Sequence, residues 1–392
     1  MKKKLFKWAA AALSVAMLAG CGSSDETPAQ DLTPAVIESQ PIATEEPAPA
    51  AEPAEEPVAE EPVAEEEPEF VEGCYRSELT NEWIDESLKD QRPIAVMVDN
   101  EITALPHFGV SQADIVYEMV NSLANDRVTR FMMLVKDWEN LEQFGSTRST
   151  RPTNIIIAPE YNAILCHDGG PYHNDAWFAR SWAPDHLSGI FKRFSNGKAT
   201  EFTEYITGDK LTESIGGKIS RTYDDVWGQK FQFSNKPFTF GTPGQNGVLS
   251  ATRVDLSAAF KHNRSTLTYD AEKGVYVYNE YAGSSNKFGF DGTYYDALNN
   301  ESMTFTNVIL QCCSLSKLDD NGYMIYNALT SNPYPGYYLT GGQAIPITWT
   351  RPGEVALTKY YNAGTGQEIT LNTGKTYIAI VPDTYWQDII VE

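Results

Sequence analysis

Pro93-Ile94-Ala95-Val96-Met97-Val98-Asp99 (PIAVMVD, residues 93–99) is an apolar run set between Arg92 and Asn100. Its shortness and its polar borders fit a strand buried on both faces, since a helix would need ten or more residues. Residues 115–120 (IVYEMV) read as a second such strand. Residues 127–136 (RVTRFMMLVK) read as a third, with Thr129, Phe131, Met133 and Val135 sharing one face at period two. Pro152 then suits the first turn of a helix continued by residues 153–158, with Ser149 and Thr150 as capping candidates. The isoleucines in that segment equally suit a strand. Residues 161–167 (YNAILCH) form a further strand ending at Asp168-Gly169-Gly170.

From about residue 247 the pattern changes to alternating β-branched and aromatic runs: STLTYD, GVYVYNEY, MTFTNVILQC, GYMIYNAL, AIPITWT and KTYIAIVP. Asn, Asp and Gly pairs punctuate them, and the segments LTGGQ and PGYY (335–338) read as turns. The expected fold is α+β, a mixed α/β domain over residues 73–245 followed by a β-rich domain over residues 246–392.

Residues 1–20 carry four lysines and then a short uncharged apolar stretch, the layout of a signal peptide. The run is too short for a membrane span, which needs about 20 apolar residues. It ends at Leu18-Ala19-Gly20-Cys21, a lipobox-like tetrapeptide that makes Cys21 the expected lipidation site and the lipid anchor the expected link to the membrane. Residues 21–72 are rich in Pro, Ala and Glu, with no Lys, Arg or His. Such a segment has too little to bury to offset its ordering entropy and is expected to be a disordered stalk, at most about 150 Å long at about 3.1 Å per residue. It holds 16 of the 53 acidic residues, so residues 73–392, with the four signal-peptide lysines also set aside, carry a net charge of about −11 against −23 for the whole chain. Neither value supplies the basic footprint that nucleic acid requires. The four remaining cysteines, Cys74, Cys166, Cys312 and Cys313, have no zinc-like spacing. Cys312 and Cys313 are neighbours on a strand and point to opposite faces.

Several stretches together resemble the YerB-like lipoproteins, a bacterial family of two domains of unknown function. They are RPIAVMVDN (92–100), GVSQADIVYE (109–118), Thr129-Arg130-Phe131 and GSTRSTR (145–151), with looser matches at Asn307-Val308-Ile309, Ile347-Thr348-Trp349 and GKTYI (374–378). The resemblance covers nearly all of the folded part and implies an α/β-type domain followed by a β-rich one. It supplies no catalytic residues. The long aromatic loop at residues 171–186 departs from it.

The most suggestive constellation is Arg148 and Arg151 with Ser146, Thr147, Ser149 and Thr150 around them, and Arg130 is a further candidate for binding an anion. Arginine offers a planar fork for phosphate or carboxylate, and a helix opened by Pro152 would add its positive end. His167 and Asp168 are expected at the same edge, where open sheets hold ligands. The competing reading pairs the arginines with Asp99, Asp114 or Glu118 as scaffold. His167, Asp168, His173, Asp175, Asp185 and His186 have metal-binding side chains but no ligand spacing, so no metal is expected. Walker, dinucleotide and nucleophile-elbow patterns are absent, and no cofactor is expected. Tyr172, Trp177, Trp182, Tyr334, Tyr337, Tyr338 and Trp349 are candidates for stacking on sugars or gripping a partner, or else are core. The expected function is a non-enzymatic surface lipoprotein that binds an anionic wall polymer or a wall-synthesis protein. The alternative is an envelope enzyme acting on a phosphate-bearing or glycan substrate through an Arg/His/carboxylate site.

Overall fold

The computed structural model describes residues 68–123, 125–225, 227–283 and 290–392. Residues 1–67 fall outside, and with them the expected signal peptide, Cys21 and most of the stalk.

An eleven-stranded sheet organises the fold. In chain order its strands are β1 (Ile94–Asp99), β2 (Ile115–Val120), β3 (Thr129–Val135), β4 (Ile164–His167), β5 (His186–Ser188), β6 (Leu249–Ser250), β7 (Asn307–Cys313), β8 (Thr330–Thr340), β9 (Gln343–Arg351), β10 (Lys359–Asn362) and β11 (Thr376–Pro382). The spatial order is β6-β9-β8-β7-β11-β2-β3-β1-β4-β5, with β10 also on β9. β11 lies between β7 and β2 and is parallel to both, with Ile378 opposite Ile309 on one side and Tyr117 on the other. Strands of both composition regions thus share one sheet, and the boundary expected at 245/246 marks a change of pattern within it.

The strand expectations at 93–99, 115–120 and 127–136 hold to within two residues. All seven residues of β3 are buried, so its period-two face has no exposed counterpart. Burying each Val, Ile or Phe of these strands contributes about 1.5–3 kcal/mol, which is what fixes their register. Helices are few and short. Pro152–Ile157 is a helix (α1) as expected, but Arg151 occupies the N-cap position, and the Asn154 side chain accepts from the Arg151 N–H at 3.0 Å. The strand expected at 161–167 starts only at Ile164, because Ala158–Tyr161 continues α1 as a tighter helix that Asn162 ends in the left-handed region. PGYY is no turn: it lies inside β8, whose hairpin to β9 turns instead at Gly341-Gly342, both at positive φ as a two-residue type I′ loop requires.

A second sheet runs Thr304–Phe305, Val275–Asn279, Thr266–Asp270, Arg253–Asp255 and Ile390–Val391. Here the alternation marks a one-sided strand: Tyr276 and Tyr278 are buried while their neighbours are half-buried, and the Tyr278 ring lies 5.8 Å from that of Tyr377 on β11. Trp349 and Tyr338 are also core, so they leave the set of surface aromatics. The free thiols of Cys166, Cys312 and Cys313 are buried, which pushes all three up.

Candidate functional site

β1, β2, β4, β7 and β11 run in the same direction, and the segment GSTRSTR crosses the carboxyl end of β1. Backbone bonds hold it there. Ser146 O accepts from Asp99 N at 3.0 Å, Arg148 N donates to Met97 O at 2.8 Å, and Thr147 N donates to Glu204 O at 2.7 Å. On the other side Asp168 N donates to Arg148 O and Thr150 N to Gly169 O, which ties the segment to the end of β4.

This path gathers three guanidinium groups around one carboxylate. Asp99, 2% exposed, has Arg148 Nε at 2.7 Å and Arg130 Nη2 at 3.6 Å. The first contact is short yet off the N–H axis, an ion pair rather than an aligned hydrogen bond. Arg148 also reaches Glu201 on the surface at 3.0 Å, and Arg130 Nη1 donates to Ser149 O at 2.8 Å. Arg151 differs from both. It donates to the Thr150 carbonyl at 2.9 Å and lies 5.0 Å over the Tyr323 ring, and no carboxylate pairs with it among the described residues. Burial, and then the charges of Arg130 and Arg148, push it down to about 9. Three positive charges thus face two negative ones, of which Glu201 is half in solvent. Ser146 Oγ, Thr147 Oγ1, Arg130 Nε and Arg151 Nε are buried with no hydrogen-bond partner in the protein among the described residues. Buried polar atoms are usually paired, so four unpartnered ones on this segment and Arg130 stand out.

Of the expected residues, Arg130, Arg148, Arg151, Ser149 and Asp99 do come together. His167 and Asp168 adjoin them only through the backbone. The His167 ring, 3% exposed, stacks on Phe178 and His186 and spends its nitrogens on Gly169 O at 2.8 Å and His186 Nδ1 at 3.1 Å. Burial pushes it down to about 4, so it is neutral at pH 7. The Asp168 carboxylate faces Arg193 at 3.3 Å, which also holds the buried Glu204 at 2.9 Å. Asp114 and Glu118 lie elsewhere. Asp114 precedes β2 and accepts from Lys136 N at 2.7 Å. Glu118 accepts from Thr129, Ser265 and Tyr377 hydroxyls at 2.6–2.7 Å in the layer between the two sheets, beside Glu280, which burial pushes well above the ordinary carboxyl range. His173 pairs with Asp319 at 2.9 Å, and no three His, Cys, Asp or Glu side chains converge among the described residues.

Sequence reasoning missed Tyr323 and Glu201, which nothing in their local pattern marks. It also missed a fully buried group in which Glu160 bridges Arg351 at 2.9 Å and Lys230 at 2.8 Å, with Lys230 donating to Tyr117 OH at 2.9 Å.

A sheet shared by two composition regions, with an arginine-rich segment over one edge, is the architecture of a two-part family. Residues 79–221 match the family described as "Protein of unknown function (DUF3048) N-terminal domain" and residues 255–378 match its C-terminal domain; the chain belongs to this YerB-like family. Among its relatives is the "Putative lipoprotein YerB" of Bacillus subtilis (strain 168), 23% identical over 317 residues that make up 79% of this chain and 86% of the relative. The crystal structure of the YerB protein from Bacillus subtilis has the same fold, with a TM-score of 0.65 at 20% identity over 81% of this chain and 99% of that one. Among the described residues no helix is long and apolar enough to cross a membrane.

Proposed function

We propose that the chain is an extracytoplasmic lipoprotein, tethered through acyl chains on Cys21, whose folded part binds an anionic group of the envelope at Arg151. The observation that carries this reading is the guanidinium of Arg151, which has no carboxylate partner among the described residues, on the same segment as the unpartnered Ser146 and Thr147 hydroxyls. A phosphate or carboxylate oxygen is the complement of that set, and arginine forks bind such groups at two points. Asp99 is engaged by Arg148 and Arg130, and the His167 nitrogens are taken, which supports binding rather than catalysis. A phosphate-rich wall polymer fits the chemistry.

The test is calorimetric titration of the full chain in detergent with purified phosphate-rich wall polymer. Binding is expected, weakening as salt rises because exposed charges are screened over about 8 Å at physiological ionic strength, and Arg151→Gln should abolish it. Unchanged binding by that variant would exclude the site.

A further inference from the structure

A cleft of about 690 Å³ opens between three loops, which carry Trp182 and Asp185, Asp224 and Trp227, and Glu354 and Val355. The arginine segment does not line it. Two indoles are fixed in its walls. Trp182 Nε1 donates to Glu354 Oε2 at 2.6 Å, which ties the first loop to the third. Trp227 stacks on Tyr223 with centroids 4.0 Å apart and planes 13° apart, so one of its faces is backed. Trp227 Nε1 is buried with no acceptor in the protein among the described residues.

The cations that line the cleft are spent. Arg92 donates to Asn162 O, Ser220 O and Asp185, and Arg351 donates to Glu160 and to the Ile156, Glu354 and Ala356 carbonyls. An anion would therefore have to compete with these partners for guanidinium groups that are 7% and 1% exposed. The acceptors, by contrast, keep exposed surface: the Asp185 side chain is 48% exposed and that of Glu354 is 36%. Net charge is also balanced. The carboxylates Glu160, Asp185, Asp224 and Glu354 are matched in number by Lys230, Arg351, Arg92 and Arg180 in and around the cleft, so a bare cation gains little either. Flat apolar faces combined with carboxylate acceptors and no net charge suit a ligand with an apolar C–H face and many hydroxyl donors.

We infer that this cleft binds a neutral saccharide chain, its pyranose faces against Trp182 and Trp227 and its hydroxyls donating to Asp185, Asp224 and Glu354. The site is independent of the arginine cluster. The experiment titrates the full chain in detergent with three uncharged hexasaccharides, the β-1,4-linked N-acetylglucosamine, β-1,4-linked glucose and α-1,4-linked glucose oligomers, and with hexalysine as the cationic control. At least one hexasaccharide should bind with an affinity that salt leaves unchanged. Trp227→Ala should weaken it about tenfold or more. Val355→Arg at the rim, where the side chain is 79% exposed and its replacement leaves the core alone, should weaken it too. Arg151→Gln should leave it unaltered, which separates this site from the anion reading. Failure of all three oligomers to bind, binding unaffected by both cleft variants, or binding of hexalysine alone would overturn the inference.

Discussion

Arg148 and Arg151, three positions apart, should respond in opposite ways to replacement by Gln. Arg148 Nε sits 2.7 Å from an Asp99 carboxylate that is 3% exposed, and its loss leaves only Arg130 at 3.6 Å. Breaking a buried pair costs about 3–5 kcal/mol. Because Arg148 is itself 23% exposed and Arg130 stays, the lower end applies, about 3 kcal/mol. At roughly 2 °C per kcal/mol for a large domain, the melting temperature should fall by about 6 °C. Arg151→Gln loses one hydrogen bond to Thr150 O, worth about 1 kcal/mol, and a ring contact worth about 0.5–1 kcal/mol. Against that stands relief of a guanidinium that burial and two neighbouring arginines already disfavour, so the net change should stay within about 1 kcal/mol. Differential scanning calorimetry of the full chain at pH 7, with and without the phosphate-rich polymer, reads both effects. Arg148→Gln should melt lower, and Arg151→Gln should melt like the parent while losing the polymer-dependent upshift. Equal falls in both variants, with no upshift in the parent, would refute the division into scaffold and binding arginine.

Burial raises the Asp114 carboxyl from its ordinary 3.8 to about 7, so its contribution to stability is present below pH 4 and lost as the pH rises through 7; Asp114→Asn should gain on the parent across that window in urea unfolding, and a pH-independent difference would count against it. Arg351→Met should cost about 3–5 kcal/mol by stripping Glu160 of a buried partner, and calorimetry should show one transition for both sequence regions, two resolved transitions being the contrary result. The His167 ring should titrate near pH 4 by NMR, and a value near 6.5 would mean that it is solvated rather than stacked. Cys21→Ser should move the chain out of the membrane fraction, and fatty-acid labelling that persists in the variant would rule out Cys21 as the anchor.

The individual strands were legible because runs such as IAVMVD and TYIAIVP are apolar on both faces, and the second sheet was legible because its residues alternate. Their pairing was not. That Thr376–Pro382 lies beside Ile115–Val120 is decided by tertiary packing, which leaves no mark on local periodicity. At the site, the pairing of Arg148 with Asp99 was among the readings the sequence allowed, whereas Arg130 joins them through the antiparallel register of β1 and β3, which sets it opposite Asp99 across an intervening strand in the chain. Tyr323 could not be inferred, because its contact with Arg151 is made across the fold, nor could the Glu160–Lys230–Arg351 group, since charged residues read as surface unless their partners, here 70 and 191 residues from Glu160, are known.

β11 is translated about 260 residues after β2, the strand it flanks. At roughly 5–20 residues per second that interval lasts about 13–50 s. Throughout it, one side of IVYEMV has its backbone donors and acceptors bare, and its only charge is Glu118, which the finished fold buries. An apolar strand with an open side is a template for pairing with other chains. The growing polypeptide therefore depends on being kept extended or escorted until its late strand arrives, and a fragment cut between the two family regions would carry that bare side permanently.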